Sequence, residues 1–447
     1  MLSVPTLPVD ETPGNRAATS DADLRRVMIS GALGQFVEWY DFVVYAYSTT
    51  IITRLFFPSL DPTAALLSTL AVFAIGFVTR PVGGILWGVL GDRLGRRSVL
   101  STVILLMGAS TVAIGLLPTY ARVGIVAPAL LVVCRLLQGL SAAGESLGAS
   151  SFIAEHAPSN RRGLYVGIVY SSAVLPPVAA ALLSLLITNM LSPEAYASWG
   201  WRVPFLLAAP LAVVGLYIRN RTEESPAFKE TQSAKRIAKA PLRTALREYK
   251  GPIGNAFALA ALSSLGFYTV AGYFVTYLTT TVGLSQTTAF VSNSIALTAV
   301  FASMVTGAWL SDWAGRRAVM LVGVAASVVL CVPAYWVAAR GGLGSAVLGQ
   351  CLIAVPLGFF FGPSGIATLE LFPTRIRLSG ALLSYNVAYA LFGGTAQLVS
   401  TWLILVSGNK IAPAYYMLAL TAVVAVVLLR LPETSNQALI HEEDRAR

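Results

Sequence analysis

Twelve mostly apolar stretches, each of roughly 20 residues or more, follow one another along this chain of 447 residues with only short polar turns between them. They fall near 27–52, 63–90, 98–117, 125–154, 163–190, 199–218, 252–279, 286–310, 318–339, 343–368, 379–406 and 412–430. Each has the length that a helix rising about 1.5 Å per residue needs to cross a hydrocarbon layer about 30 Å thick. Inside that layer no water satisfies a stray backbone N–H or C=O, so runs this long must be helical. The expected fold is an all-α membrane protein of twelve transmembrane helices.

The net charge of +10 could point to nucleic acid, so the placement of the basic residues has to decide. With Arg25 and Arg26 set in the cytoplasm and sides alternated, 24 of the 31 Lys and Arg fall inside, and the outer loops keep only Arg54, Arg122, Arg340 and Lys410. This is the positive-inside pattern, and it predicts a multi-pass protein of the inner (plasma) membrane with both termini cytoplasmic. Anionic headgroups account for the charge, and no nucleic-acid partner is expected. The first 26 residues lack the basic start and apolar core of a cleaved signal peptide. The 17 residues after Arg430 show no heptad pattern, so no coiled coil is expected there.

Chemistry that needs a cofactor finds no foothold. There is no phosphate-binding glycine loop, and Lys229, Lys235, Lys239, Lys250 and Lys410 all lie in loops. His156 and His441 belong to no cluster at metal spacing, and Cys134, Cys331 and Cys351 lie in apolar runs as free thiols. No cofactor, no metal and no enzymatic activity are expected.

The segment 219–251, "RNRTEESPAFKETQSAKRIAKAPLRTALREYKG", divides the chain into six spans and six. The organisation read from this is a tail 1–26, a bundle 27–218, a cytoplasmic linker 219–251, a bundle 252–430 and a tail 431–447. The halves repeat. "GVLGDRLGRRSVL" and "GAWLSDWAGRRAVM" align Asp92 with Asp312, Arg96 with Arg316 and Arg97 with Arg317 at an offset of 220 residues. "EHAPSNRRG" and "ELFPTRIRLSG" align Glu155 with Glu370 and Arg162 with Arg377 at an offset of 215. Two independent echoes at nearly one offset mark an internal duplication.

These residues carry a resemblance. The G-x-L-x-D-x-x-G-R-R loop resembles the signature between helices 2 and 3 of the major facilitator superfamily. "EWYDF", "RPVGGILWGVLGDRLGRR", "RLLQGLSAAGESLGAS", "WGWRVPF", "EESPAF" and "LFPTRIR" together resemble its metabolite:proton symporter branch. That branch includes permeases for α-ketoglutarate, citrate, shikimate and proline or glycine betaine. Ala143-Gly144-Glu145 departs mildly from the usual Gly-Gly-Glu and keeps the acid. The resemblance implies two pseudo-symmetric six-helix bundles and a cytoplasmic gate. In that gate Asp92, beside Gly88, meets the start of helix 11 near Ser379, and Asp312 meets helix 5 near Gly163. Arg96, Arg97, Arg316, Arg317, Glu155, Arg162, Glu370 and Arg377 complete it. The alternative is that these charges only fix topology.

Ionisable groups deep in a span cost about 2.5 to 3.5 kcal/mol each on insertion scales, so they mark a task or a partner. Counting about 1.5 Å per residue from the cytoplasmic ends puts Glu38, Asp41, Arg80 and Glu145 near the midplane, with Arg135 further out. Glu38 and Asp41, three apart, share a helix face that Tyr45 continues. Arg80 is the natural counter-ion for these acids or for a substrate carboxylate. When substrate takes Arg80, the acid left behind in low dielectric takes a proton. Asp41, Glu38 and Glu145 are therefore the expected proton-coupling acids, and Arg135 an ion-pair or relay residue. A permanent Arg80–Asp41 pair, or a Glu38–Arg135 pair, is the structural alternative. The second half offers Tyr268, Tyr277, Asn293, Tyr385 and Asn386 as expected substrate contacts beside Arg80 and Tyr45.

The function expected is proton-coupled symport of a small carboxylate-bearing metabolite by a monomer. A zwitterion such as proline or betaine is the alternative, and a transporter-like solute sensor the more distant one.

Overall fold

The computed structural model describes residues 21–225, 228, 232 and 240–435. Most of both expected tails, part of the linker, His441, Lys229, Lys235 and Lys239 lie outside the described residues. Among those described, twelve long helical segments follow in order and no strand occurs. They are α1 (Asp21–Tyr47), α2 (Pro62–Val78 and Arg80–Leu94), α3 (Arg96–Leu116), α4 (Val126–Ala142 and Glu145–His156), α5 (Arg162–Ser171 and Leu175–Met190) and α6 (Ala208–Asn220). The second half has α7 (Lys250–Val282), α8 (Gln286–Ala314), α9 (Arg316–Ala338), α10 (Leu343–Glu370), α11 (Arg377–Ser407) and α12 (Ala412–Arg430).

Eleven helices among the described residues are long and apolar enough to cross a membrane. The twelfth, α1, falls outside that group because Gln35, Glu38 and Asp41 dilute its hydrophobicity. Its described part runs from Asp21, upstream of the expected start at 27. The expected end near 52 is corrected too: α1 stops at Tyr47, and a short helix Thr49–Phe56 follows.

The duplication is visible in the packing. α2 packs against α11, and its counterpart α8 packs against α5. Helices in lipid associate by close van der Waals fit, which small residues permit. A Cβ on Gly88 would stand 2.9 Å from the Ser379 Cα, and one on Gly167 would overlap Ala308. At both α2–α3 and α8–α9 the turn uses a glycine at positive φ, Gly95 (φ 98°) and Gly315 (φ 96°), a backbone region that only glycine adopts without strain.

Candidate functional site

The interior site grows from a break in α4. At Ala143 and Gly144 the helix interrupts, and neighbouring side chains take up backbone carbonyls there. Trp87 Nε1 donates to Leu140 O at 2.6 Å, and Asn386 Nδ2 donates to Ala143 O at 2.8 Å. Gln35 Nε2 donates to Ser146 O at 3.1 Å. The break thus ties α1 and α2 to α4, and through Asn386 it ties the two halves together.

Ser146, just past the break, donates its hydroxyl to Glu38 Oε2 at 2.5 Å. Arg80 Nη2 donates to Glu38 Oε1 at 3.0 Å, and both side chains are wholly buried. The remaining Arg80 donors, Nε and Nη1, have no acceptor. Its guanidinium lies 4.8 Å from the Phe42 ring centroid, 5.4 Å from Phe77 and 5.7 Å from Tyr389. Arg80 is therefore half spent, with donors left over beside an aromatic wall.

The pairing differs from the sequence alternatives. Arg80 takes Glu38, not Asp41, and Arg135 lies toward Asp41, not Glu38. Both Asp41 carboxylate oxygens are buried and accept no hydrogen bond. The polar groups that bear on it are Thr111 and Arg135. Thr111 has already given its hydroxyl hydrogen to Met107 O at 3.0 Å, and it accepts from Gln138 Nε2 at 2.7 Å. Arg135 donates to Gln138 Oε1 at 2.8 Å and to Phe73 O at 3.3 Å, and it sits 4.3 Å from the Tyr45 centroid. Tyr45 itself donates to Thr69 O at 3.2 Å, inside the first bundle.

Between the halves lies a small cavity lined by Trp39, Tyr170, Ser263, Phe267, Met304 and Tyr389 among others. Tyr268 packs 5.9 Å from Trp39 and 5.5 Å from Phe77, and Tyr385 stacks on Tyr389 at 4.0 Å. The Tyr170 and Tyr389 hydroxyls are 3.3 Å apart, while those of Tyr268 and Tyr385 have no partner. Widened π-turns at Thr269–Tyr273 and Tyr389–Gly393 follow these tyrosines on α7 and α11, a distortion common at functional positions.

Three expected site residues lie elsewhere. Glu145 is engaged by both terminal nitrogens of Arg219, at 3.0 and 2.8 Å. Arg219 also donates to Ser30 Oγ and Leu100 O. The sequence reading put Arg219 in the linker, but α6 continues through it and buries it. Tyr277 packs 5.3 Å from Tyr335, within the second bundle. Asn293 is committed to Val270 O at 2.6 Å and Gln350 Oε1 at 2.9 Å. Internal partners occupy the polar groups of Glu145 and Asn293, while Tyr277 is enclosed by aromatic rings of its own bundle with its hydroxyl unpartnered.

On the face that carries the start of α1 and the end of α12, the two halves are latched. Asp92 accepts from the Leu378 and Ser379 N–H groups at 3.1 and 2.8 Å, and Asp312 accepts from Gly163 and Leu164 at 2.8 Å each. A carboxylate at a helix N-terminus satisfies orphan donors and the helix dipole together. Glu155 binds Arg377 at 2.6 Å and Arg96 at 3.3 Å. Glu370 stands 3.5 Å from Arg316 and 3.8 Å from Arg162.

The sequence reading missed a third echo. Glu224 accepts from the Arg96 and Arg97 N–H groups at 3.1 Å each, and Glu433 accepts from those of Arg316 and Arg317 at 2.8 and 3.1 Å. Ser225 Oγ donates to Glu155 at 2.5 Å, as Thr434 Oγ1 donates to Glu370 at 2.6 Å. Burial pushes Glu433 up, but the Ser435, Arg316 and Arg317 N–H groups outweigh it and hold this carboxyl below the usual range. The signal was present: "ESP" after α6 and "ETS" after α12 repeat at an offset of 209. Arg97 and Arg317 also donate to Asn220 O at 2.6 Å and Leu429 O at 2.7 Å, closing each loop onto its own bundle.

Comparison with known proteins agrees with this geometry. The family model for the Major Facilitator Superfamily matches residues 31–396. The chain belongs to the Major Facilitator Superfamily. It is 34% identical over 432 residues to the ectoine/proline transporter of Corynebacterium glutamicum, covering 93% of this chain and 86% of that one. It is 32% identical to the proline/betaine transporter of Escherichia coli, covering 94% and 85%. It is 36% identical to the Escherichia coli inner membrane metabolite transport protein YhjE, covering 93% and 95%. The structure of the proton:xylose symporter XylE shares the fold, with a TM-score of 0.78, 18% identity and coverage of 94% and 98%. This superfamily member is a multi-pass membrane transporter, not an enzyme.

Proposed function

We propose that this transporter carries a small zwitterionic osmolyte of the proline, betaine or ectoine kind into the cell together with a proton. The observation that carries the reading is Arg80, which has two unspent donors beside an aromatic chamber between the bundles. A substrate carboxylate suits those donors, and an alkylated ammonium suits the faces of Trp39, Tyr268, Tyr385 and Tyr389. The named substrates of the Corynebacterium and Escherichia relatives favour this over the dicarboxylate expected first. So does the geometry: a second carboxylate would want Arg135, which is turned to Gln138 and Phe73.

In this reading Glu38 and Asp41 handle the proton by different routes. Asp41, whose oxygens accept no hydrogen bond, is the acid to which this reading gives a resident proton. Glu38 keeps its charge while Arg80 holds it. Substrate that draws Arg80 away leaves Glu38 with Ser146 alone, and a carboxylate so exposed in low dielectric takes a proton. The latched face is the cytoplasmic one, the chain sits in the inner membrane with both termini cytoplasmic, and one chain suffices because the cavity lies between its own halves.

Uptake by proteoliposomes tests this. Labelled proline and glycine betaine should accumulate when the outside is made acidic, and a dicarboxylate should not. Accumulation of the dicarboxylate alone, or accumulation unaffected by the gradient, would overturn the proposal.

A further inference from the structure

The described residues of the segment between the bundles include the short helix Pro241–Glu248, with Lys250 starting α7 just beyond it. Its faces differ sharply. Pro241, Ala245 and Tyr249 are buried, whereas Arg243, Leu246, Arg247 and Lys250 are exposed, Leu246 at 46%. Arg243, Leu246 and Arg247 are three and four residues apart and so share a side, and Lys250 follows past a break at Tyr249. An exposed leucine framed by cations on a helix beside a transmembrane span has the chemistry of an interfacial segment, in which the apolar side chain enters the headgroup layer and the cations meet phosphate.

The same helix touches both halves. It packs against α2 of the first bundle and against α7 and α11 of the second. Glu248 lies 3.8 Å from Arg375, in the loop that leads to α11. The next residue back, Thr374, gives its carbonyl to Arg96 Nη2 at 2.7 Å. A force on the helix therefore reaches the latch in two steps.

We propose that the exposed face of Pro241–Glu248, with Lys250, binds anionic lipid headgroups, and that lipid held there stabilises the latched arrangement of the two bundles. The protein-facing and outward-facing sides are different residues, so the helix engages lipid without leaving its seat on α2 and α11. Anionic lipid then favours the closed cytoplasmic face and slows its opening. The inference rests on the cytoplasmic orientation proposed above but not on which solute is carried.

The test uses the full chain with Arg243→Gln, Arg247→Gln and Lys250→Gln combined, and a second variant with Arg243→Lys and Arg247→Lys that keeps the charge. Native mass spectrometry reads phosphatidylglycerol binding, and hydrogen exchange at the Leu378 and Ser379 amides reads the latch. The neutral variant should bind phosphatidylglycerol at least about tenfold more weakly. Phosphatidylglycerol vesicles, compared with phosphatidylcholine, should protect the two amides in the wild type and the lysine variant but not in the neutral one. The proposal falls if the neutral variant binds as the wild type does, or if protection ignores lipid charge. It falls equally if soluble polyglutamate gives the same protection in phosphatidylcholine, which would assign the face to an acidic protein partner. None of these readouts depends on transport, so they separate this proposal from the choice of solute.

Discussion

The latched face and the midplane treat the internal duplication in opposite ways. At the latched face three devices occur twice: Asp92 and Asp312 on helix N-termini, Glu155 and Glu370 among arginines, Glu224 and Glu433 on the starts of α3 and α9. At the midplane nothing is duplicated. The first bundle holds the buried charges Glu38, Asp41, Arg80, Arg135 and Glu145, the last paired with Arg219 from the end of α6, and the second faces them with tyrosines and Asn386. A gate between two rocking bodies must close symmetrically, so copies of one latch serve both sides of the pseudo-axis. A binding site has to fit an asymmetric solute, and copies of one charge set would only repel each other across the cavity.

The largest expected effect tests the asymmetric region. Arg80→Gln leaves Glu38 buried with one hydroxyl for company, and breaking a buried pair in this way costs about 3 to 5 kcal/mol. Thermal melting in detergent should drop accordingly and uptake should vanish. Combining it with Glu38→Gln should restore the melting temperature but not transport. Recovered transport in the double variant would mean the pair only orients α1 and α2. Arg80→Lys keeps the charge but loses the fork, so a milder fall in apparent affinity, roughly ten- to hundredfold, is expected.

The symmetric region predicts equality. Asp92→Asn and Asp312→Asn each weaken two charge-assisted bonds to backbone N–H groups, about 1.5 to 3 kcal/mol for the site. Each should loosen the latch by a similar amount, read as faster exchange of the amides at Leu378 and Ser379 or at Gly163 and Leu164. If one substitution opens the face and the other is silent, the duplication is one of form and not of function.

What was legible in the sequence follows the same division. Apolar length announced the helices, and the Asp92/Asp312 and Glu155/Glu370 echoes announced the latch, because local motifs repeat at fixed offsets. The midplane could be read for which residues are charged but not for who meets whom. Depth along a helix follows from counting, whereas azimuth depends on breaks such as the one at Ala143 and Gly144. That break and the approach of α2 set Arg80 on Glu38 and left Asp41 toward Arg135. Arg219 was hidden by its position beside a charged segment, where composition suggested water and not the buried pair with Glu145. Tyr277 and Asn293 lie at a plausible depth, but their helices turn them to Tyr335 and to Val270 and Gln350.

The smallest effects sharpen the line between cavity and bundle core. Tyr385 and Tyr277 are both buried on second-half helices, and both hydroxyls lack a partner. Tyr385 stacks on Tyr389, whose ring also faces Arg80 at 5.7 Å, while Tyr277 packs against Tyr273, Phe274 and Tyr335. A hydroxyl that meets substrate is worth about 0.5 to 1.5 kcal/mol, so Tyr385→Phe should raise the apparent KM for the transported solute by up to about tenfold. Tyr277→Phe removes an unpaired polar atom from an apolar core and should leave KM unchanged, with stability equal or slightly higher. If Tyr277→Phe raises KM as much as Tyr385→Phe does, solute reaches deeper into the second bundle than the cavity at Trp39 and Tyr389, and the boundary drawn between site and core has to move to α9.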